Sequence, residues 1–238
     1  MSDPTVIAID WSGAKRTTTR SGIWLAEIRA GELVDSRPLA TREAAVEHLL
    51  ASEPPVVAGF DFSFGVPQWF ATEQGCSTID DVWALAARDG ERWLAPTPPF
   101  WRTKCEVAPG RRFRRCELAH PRAKSVFQLV GNGQVGAGSV RGMPLLAELR
   151  AGGCAIWPFD GPAERTVVEI YPSFLRTLSS VDETAFTNEH ERDAVCSARV
   201  MWDERASVAA LKAATDPITR LEGDVWAPSS ARRTTASP

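Results

Sequence analysis

Two short apolar runs, Thr5 to Asp10 (TVIAID) and Val56 to Phe62 (VVAGFDF), each carry an aspartate at or near the C-terminal end. No other feature limits the fold as much. Runs of this length, rich in Val and Ile, read as buried strands whose side chains alternate between two faces. Between them a second strand, from about Gly22 to Arg29, and a third, from about Glu32 to Pro38, flank an Ala30-Gly31 turn and give a three-stranded meander. An amphipathic helix follows from about Thr41 to Ala51, with Thr41 as N-cap and Ala45, Val46, Leu49 and Leu50 turned inward, and Pro54-Pro55 ends it. Helix-then-strand after a meander is the order expected when the new strand lies parallel to the first. Asp10 and Asp61 then open into one crevice at the strand C-termini, where α/β folds place ligands.

A chain of 238 residues suits one α/β domain, over residues 5–226, with an elaborated insertion at about 68–150. The insertion holds a helix near Ile79 to Ala87, the break Ala95-Pro96-Thr97-Pro98-Pro99, a basic stretch and a glycine-rich loop. Regular structure resumes with a helix at about Pro144 to Arg150, strands at Cys154 to Trp157 and Thr166 to Tyr171, and a helix from about Glu189 to Arg205. The tail 227–238 is Ser, Thr, Ala, Arg and Pro and reads as disordered. The N-terminus has no basic n-region and the chain has no 18-residue apolar stretch, so neither secretion nor a membrane is expected. Five scattered cysteines without a C-x-x-C pair argue against a disulfide framework and a structural zinc, which makes the reducing cytoplasm the expected compartment.

Two further acids have comparable settings. Glu169 interrupts the apolar run Val167 to Tyr171, and Asp193 starts the apolar stripe of the late helix, one turn after Glu189. Carboxylates gathered in one pocket repel by about 4 kcal/mol per close pair at an effective dielectric near 20. Either protons with raised pKa values or hard cations such as Mg²⁺ or Mn²⁺ must balance them. The plainer alternative is that each acid is satisfied separately, as a cap or in a salt bridge.

Five segments in order carry a resemblance. They are Ala8-Ile9-Asp10-Trp11-Ser12-Gly13-Ala14, then Gly59 to Pro67 (GFDFSFGVP), Ser125-Val126-Phe127-Gln128 leading into Gly131-Asn132-Gly133-Gln134-Val135-Gly136, then Glu169-Ile170-Tyr171-Pro172-Ser173, and His190-Glu191-Arg192-Asp193-Ala194. Together they resemble the family called domain of unknown function 429, described as predicted nucleases of ribonuclease H-like fold. The resemblance implies a mixed sheet, an antiparallel three-strand meander plus parallel strands, flanked by helices. It implies Asp10, Asp61, Glu169 and Asp193 as catalytic acids and metal ligands for Mg²⁺ or Mn²⁺. Ser12, Ser63, Gln128 and Asn132, which lie in the matching segments, become substrate contacts. Lys15, past the first strand end, is a candidate to stabilise phosphate charge or simply a solvent-facing lysine.

From Arg102 to Lys124 eight basic residues face two acidic ones, a local charge of +6 in a chain of net charge −3, which leaves −9 elsewhere. With Phe100, Trp101 and Phe113 interleaved, this stretch could bind a nucleic acid, or be a solvated loop. Gly131-x-Gly133-x-x-Gly136 formally matches a dinucleotide fingerprint, with Asp160 at a tolerable distance for a ribose contact. Gly138, Gly142 and Pro144, however, stand where the phosphate-binding helix should start. The expectation is instead a tight loop that, with Arg141, approaches a phosphate or the crevice. A metal-dependent nuclease is therefore the first reading. A nucleotide-phosphate-binding ATPase or kinase-like protein is the second, and a non-catalytic nucleic-acid or protein-binding module the third.

Overall fold

A computed structural model describes residues 3–14, 22–95, 97–119, 123–130, 135–182 and 186–229. Six strands, β1 (Thr5–Asp10), β2 (Trp24–Arg29), β3 (Glu32–Pro38), β4 (Val56–Phe60), β5 (Ala155–Ile156) and β6 (Arg165–Glu169), form one sheet in the order β3-β2-β1-β4-β6-β5. The meander β1-β2-β3 is antiparallel, and β1, β4, β6 and β5 run parallel. Ala30 (φ 48°) and Gly31 (φ 85°) both adopt the left-handed backbone that a two-residue hairpin turn requires.

Four helices of ten or more residues flank the sheet: α1 (Arg42–Ala51), α2 (Ile79–Trp93), α3 (Val135–Ala151) and α4 (Glu189–Asp203). Ile7, Ile9, Ala58, Phe60 and Val167 pack on α1, α2 and α3, whereas Val6, Ala8, Val57, Val168 and Ile170 pack under α4. This α/β arrangement of helices on a mixed sheet is consistent with the ribonuclease H-like fold. Thr41 caps α1 by accepting the N–H of Ala44, and a Thr78–Asp81 capping box starts α2, which continues past Ala87 to Trp93.

The glycine-rich segment departs from expectation. Residues 131–134 lie outside the described residues, but α3 begins at Val135 and runs through Gly136, Gly138, Gly142 and Pro144. Each interior glycine costs a helix about 1 kcal/mol and an interior proline about 3, which is why the sequence reads there as a loop. Close packing offsets that cost. A Cβ on Gly142 would stand 2.6 Å from the Phe62 ring, and one on Gly136 would stand 2.5 Å from the Val126 carbonyl oxygen. Trp11 Nε1 donates to the Gly138 carbonyl at 3.1 Å, so the bare face of α3 lies directly against the aromatic chain Trp11-Phe62-Phe64. The β4 run ends at Phe60 rather than Phe62, yet Phe60, Phe62 and Phe64 do share a face, with ring centroids 5.7 and 5.2 Å apart.

The C-terminal segment ties the insertion to the sheet. Glu222, itself buried, accepts the N–H groups of Gln68 (2.7 Å) and Arg115 (2.6 Å), and the Trp226 N–H donates to the Glu169 carbonyl at 2.8 Å. Ala227 is also buried, and residues 230–238 of the expected tail lie outside the described residues.

Gly142→Ala separates propensity from packing. Intrinsic preference alone would stabilise α3 by about 1 kcal/mol. Because Trp11 and Phe64 confine Phe62, overpacking is expected to destabilise instead by about 1–3 kcal/mol, read from the urea midpoint at unchanged slope.

Candidate functional site

The parallel register sets Ile9 opposite Phe60, and the Asp61 N–H donates to the Ile9 carbonyl at 3.1 Å, so Asp10 and Asp61 lie level at adjacent strand ends. Both continue the alternation of Val6, Ala8 and Val57, the face beneath α4. The first turn of α4, capped by Asn188, adds Glu189, His190 and Asp193 to the same crevice. These five side chains, with Trp11, Ser12, Gly13, Val135 and Gly138, line a cavity of about 420 Å³.

Each acid has a distinct electrostatic setting. Asp10 is 6 % exposed and its Oδ2 stands 2.6 Å from His190 Nδ1. Burial pushes its pKa up to about 6 against the pull of His190. The Asp10 hydrogen bond raises the imidazole in turn. Asp193 is bound by Arg176 at 2.7 Å, and burial still raises its carboxyl above the usual range. Asp61 has no ion-pair partner among the described residues. Burial first, and then the charges of Asp10, Asp193 and Glu169, hold it well above the ordinary carboxylate range.

Glu169 is placed differently. It ends β6 level with Phe60 and continues the alternation of Val167, on the face turned toward the insertion. There its Oε2 accepts Arg114 NH1 and the Phe64 N–H, both at 2.8 Å, and its Oε1 accepts Arg114 NH2. Arg114 is fully buried and also donates to Glu117 Oε1 (2.8 Å) and the Glu222 carbonyl (3.0 Å).

The remaining candidates divide. Ser12 lines the cavity, its hydroxyl accepting the Ala14 N–H at 3.2 Å. Ser63 is buried away from it, its N–H on Ser139 Oγ and its hydroxyl 3.5 Å from Glu117. Gln128 donates to the Val130 carbonyl, and Arg141 to the Gly13 carbonyl and to Glu91. Arg141 and Arg42, which grips the Ser12 and Ala14 carbonyls, thus fix the loop that follows Asp10. Lys15 and Asn132 lie outside the described residues.

The basic stretch is largely engaged within the fold. Besides buried Arg114, Arg115 pairs with Asp216, Arg111 pairs with Glu73 and lies over Trp69, Arg112 donates to Val107 and Arg102 to Leu94.

Sequence offers His190 as a proton carrier without assigning it a catalytic role, and it does not single out Arg114. His190 adjoins Asp193 on a helical turn, a spacing that signals a shared face. Arg114 was hidden in a run of similar charges. Carboxylate oxygens alone suit a hard cation such as Mg²⁺ or Mn²⁺. As the acids stand, among the described residues no three His, Cys, Asp or Glu are close enough to hold a metal. Asp10 is engaged with His190 and Asp193 with Arg176, so a cation would have to exchange with those partners. No helix among the described residues is long and apolar enough to cross a membrane, and all five cysteines are free thiols. Comparison of the chain with protein-family models, curated proteins and solved structures returned no match.

Two consequences are measurable. Arg114→Met strands Glu169 and Glu117 without their cation and is expected to cost about 3–5 kcal/mol, with part recovered when Glu169→Gln is added. Asp61 has a folded pKa above its unfolded value near 3.8, so ionisation destabilises the folded chain as pH rises past that value. Asp61→Asn in EDTA should therefore melt higher than wild type at pH 7.5, by about 2–4 °C for each kcal/mol relieved. The difference should vanish below about pH 4, where the carboxyl is neutral in both states.

Proposed function

We propose that the chain is a hydrolase that uses Mg²⁺ or Mn²⁺ to cleave nucleic-acid phosphodiesters. The observation that carries this reading is the level placement of Asp10 and Asp61 on adjacent parallel strands, facing Asp193, with Asp61 lacking a cation among the described residues. Repulsion within such a set is relieved when a doubly charged ion takes the place of protons. Asp10, Asp61 and Asp193 would hold the ion. When bound, it would lower the pKa of a water and balance charge on the phosphate. The resemblance to predicted nucleases supplies the choice of a nucleic-acid backbone among phosphodiesters.

The chain's own groups have separate tasks in this scheme. Asp10 and Asp61 place negative oxygen at a fixed spacing, because backbone hydrogen bonds between β1 and β4 set their level. Trp11, locked by its indole bond to Gly138, forms a rigid apolar wall that limits water around the acids. The Ser12 hydroxyl can turn its proton toward a phosphate oxygen while still accepting the Ala14 N–H. His190, half-exposed, has Nδ1 engaged by Asp10, so Nε2 is the atom that exchanges a proton with substrate or solvent.

Asp10→Asn tests the proposal. Wild type should cleave DNA or RNA oligonucleotides in Mg²⁺ or Mn²⁺ and not in EDTA, and the variant should lose at least about a hundredfold in rate. In parallel, metal at 100 times its Kd should raise the wild-type melt by about 5–10 °C and leave the variant unmoved. A variant that cleaves as wild type removes Asp10 from the chemistry.

A further inference from the structure

The acid at the end of β6 is on the wrong side of the sheet. Val167 faces α1–α3, Val168 faces α4, and Glu169 returns to the first side, whereas Asp10 and Asp61 open beneath α4. Rotating the Glu169 side chain does not carry it through the sheet, and a one-residue slip of β6 would break its five-residue pairing with β4. Both of its oxygens are also engaged. Two donors of Arg114 and the Phe64 N–H account for them, and Arg114 has no solvent to turn to if they are withdrawn.

Glu189 stands where Glu169 cannot. It precedes Asp193 by four residues on α4, which puts both on one helix face, and it lines the cavity with Asp10, Asp61 and Asp193. Its side chain is 72 % exposed, and among the described residues it pairs only with Arg192, at 3.5 Å, a contact that leaves its rotamer loosely held. Its charge already bears on both Asp10 and Asp193.

We propose that Glu189 is the fourth carboxylate of the cation site, and that Glu169 is instead a positioning residue that, through Arg114, docks the insertion on the strand end. The assignment rests on reading the cavity as a divalent-cation centre and names the ligand set within it: Asp10 and Asp61 from the sheet, Glu189 and Asp193 from one turn of α4.

The test is titration calorimetry with Mn²⁺ alone on the full chain and on four single variants. Asp10→Asn is expected to abolish binding. Glu189→Gln should weaken it by about tenfold or more, the scale on which ligand charge sets affinity at hard-cation sites. Glu191→Gln removes the same charge from the same turn, but its carboxylate is bonded to Thr187 and does not line the cavity, so its affinity should match wild type. Glu169→Gln should also bind as wild type while melting lower. If Glu169→Gln fails to fold, Glu189→Gln against Glu191→Gln still decides, since both lie on the exposed first turn. Binding lost in Asp10→Asn but intact in Glu189→Gln would keep the cation site and overturn the assignment. A wild type that binds no Mn²⁺ would overturn the cation reading and this assignment with it.

Discussion

The parallel pairing of β1 with β4 is the constraint on which the molecule turns. Ile9 opposite Phe60 places the last apolar residues of both strands in the same core layer, and one residue later it leaves two aspartates side by side. The same backbone hydrogen bonds that bury the strands therefore hold Asp10 and Asp61 together despite their repulsion. Were the register shifted by one residue, the two acids would face opposite sides of the sheet, and a core residue would be exposed for each. Packing of the strands and placement of the two acids thus depend on one geometric variable.

Arg114 is the counterpart of that pairing on the other face. A buried guanidinium is tolerated only when its donors are met, and this one is shared among Glu169, Glu117 and the Glu222 carbonyl, each from a different part of the chain. Glu222 in turn accepts backbone N–H groups at Gln68 and Arg115. The network thus links the insertion, β6 and the C-terminal segment by bonds that fail together, because removing any one member leaves the others buried and unmet. This explains how the irregular stretch between α2 and α3 keeps a defined position beside the strand ends.

Much of this was legible before any coordinates. The alternation of Val6, Ala8 and Ile7, Ile9 defines two sheet faces, and the Thr41 cap and Ala30-Gly31 turn mark their elements correctly. Alternation in Val167-Val168-Glu169 contains the side on which Glu169 emerges, but only once the register with β4 is known, and no local pattern supplies that. The helix at α3 was illegible for another reason. Its glycines and Pro144 are poor helix formers, and Gly138 and Gly142 make sense only beside Trp11 and Phe62, more than seventy residues away in sequence. Arg114 was lost among neighbours of equal charge, since a run of arginines does not say which of them is buried. Of the four acids that the sequence groups, Asp10, Asp61 and Asp193 share one cavity and Glu169 does not, while the His190 contact depends on where α4 begins relative to β1.

The two networks differ in a way that bears on how they work. Around Arg114 one guanidinium is shared by Glu169 and Glu117 in a dry setting, where burial raises both carboxyls and Arg114 opposes the rise. Around Asp61 burial and three neighbouring acids all oppose ionisation, and nothing described on that side of the sheet offsets them. An acid that its surroundings hold well above the ordinary carboxylate range favours its neutral form, and under the proposed function a cation in the cavity would take the place of that proton. In that proposal the free energy released on relieving the repulsion would be available to hold the cation and order the groups around it. The rigid network on one face lets the strained one on the other persist, because the strand ends cannot separate to dilute the charge.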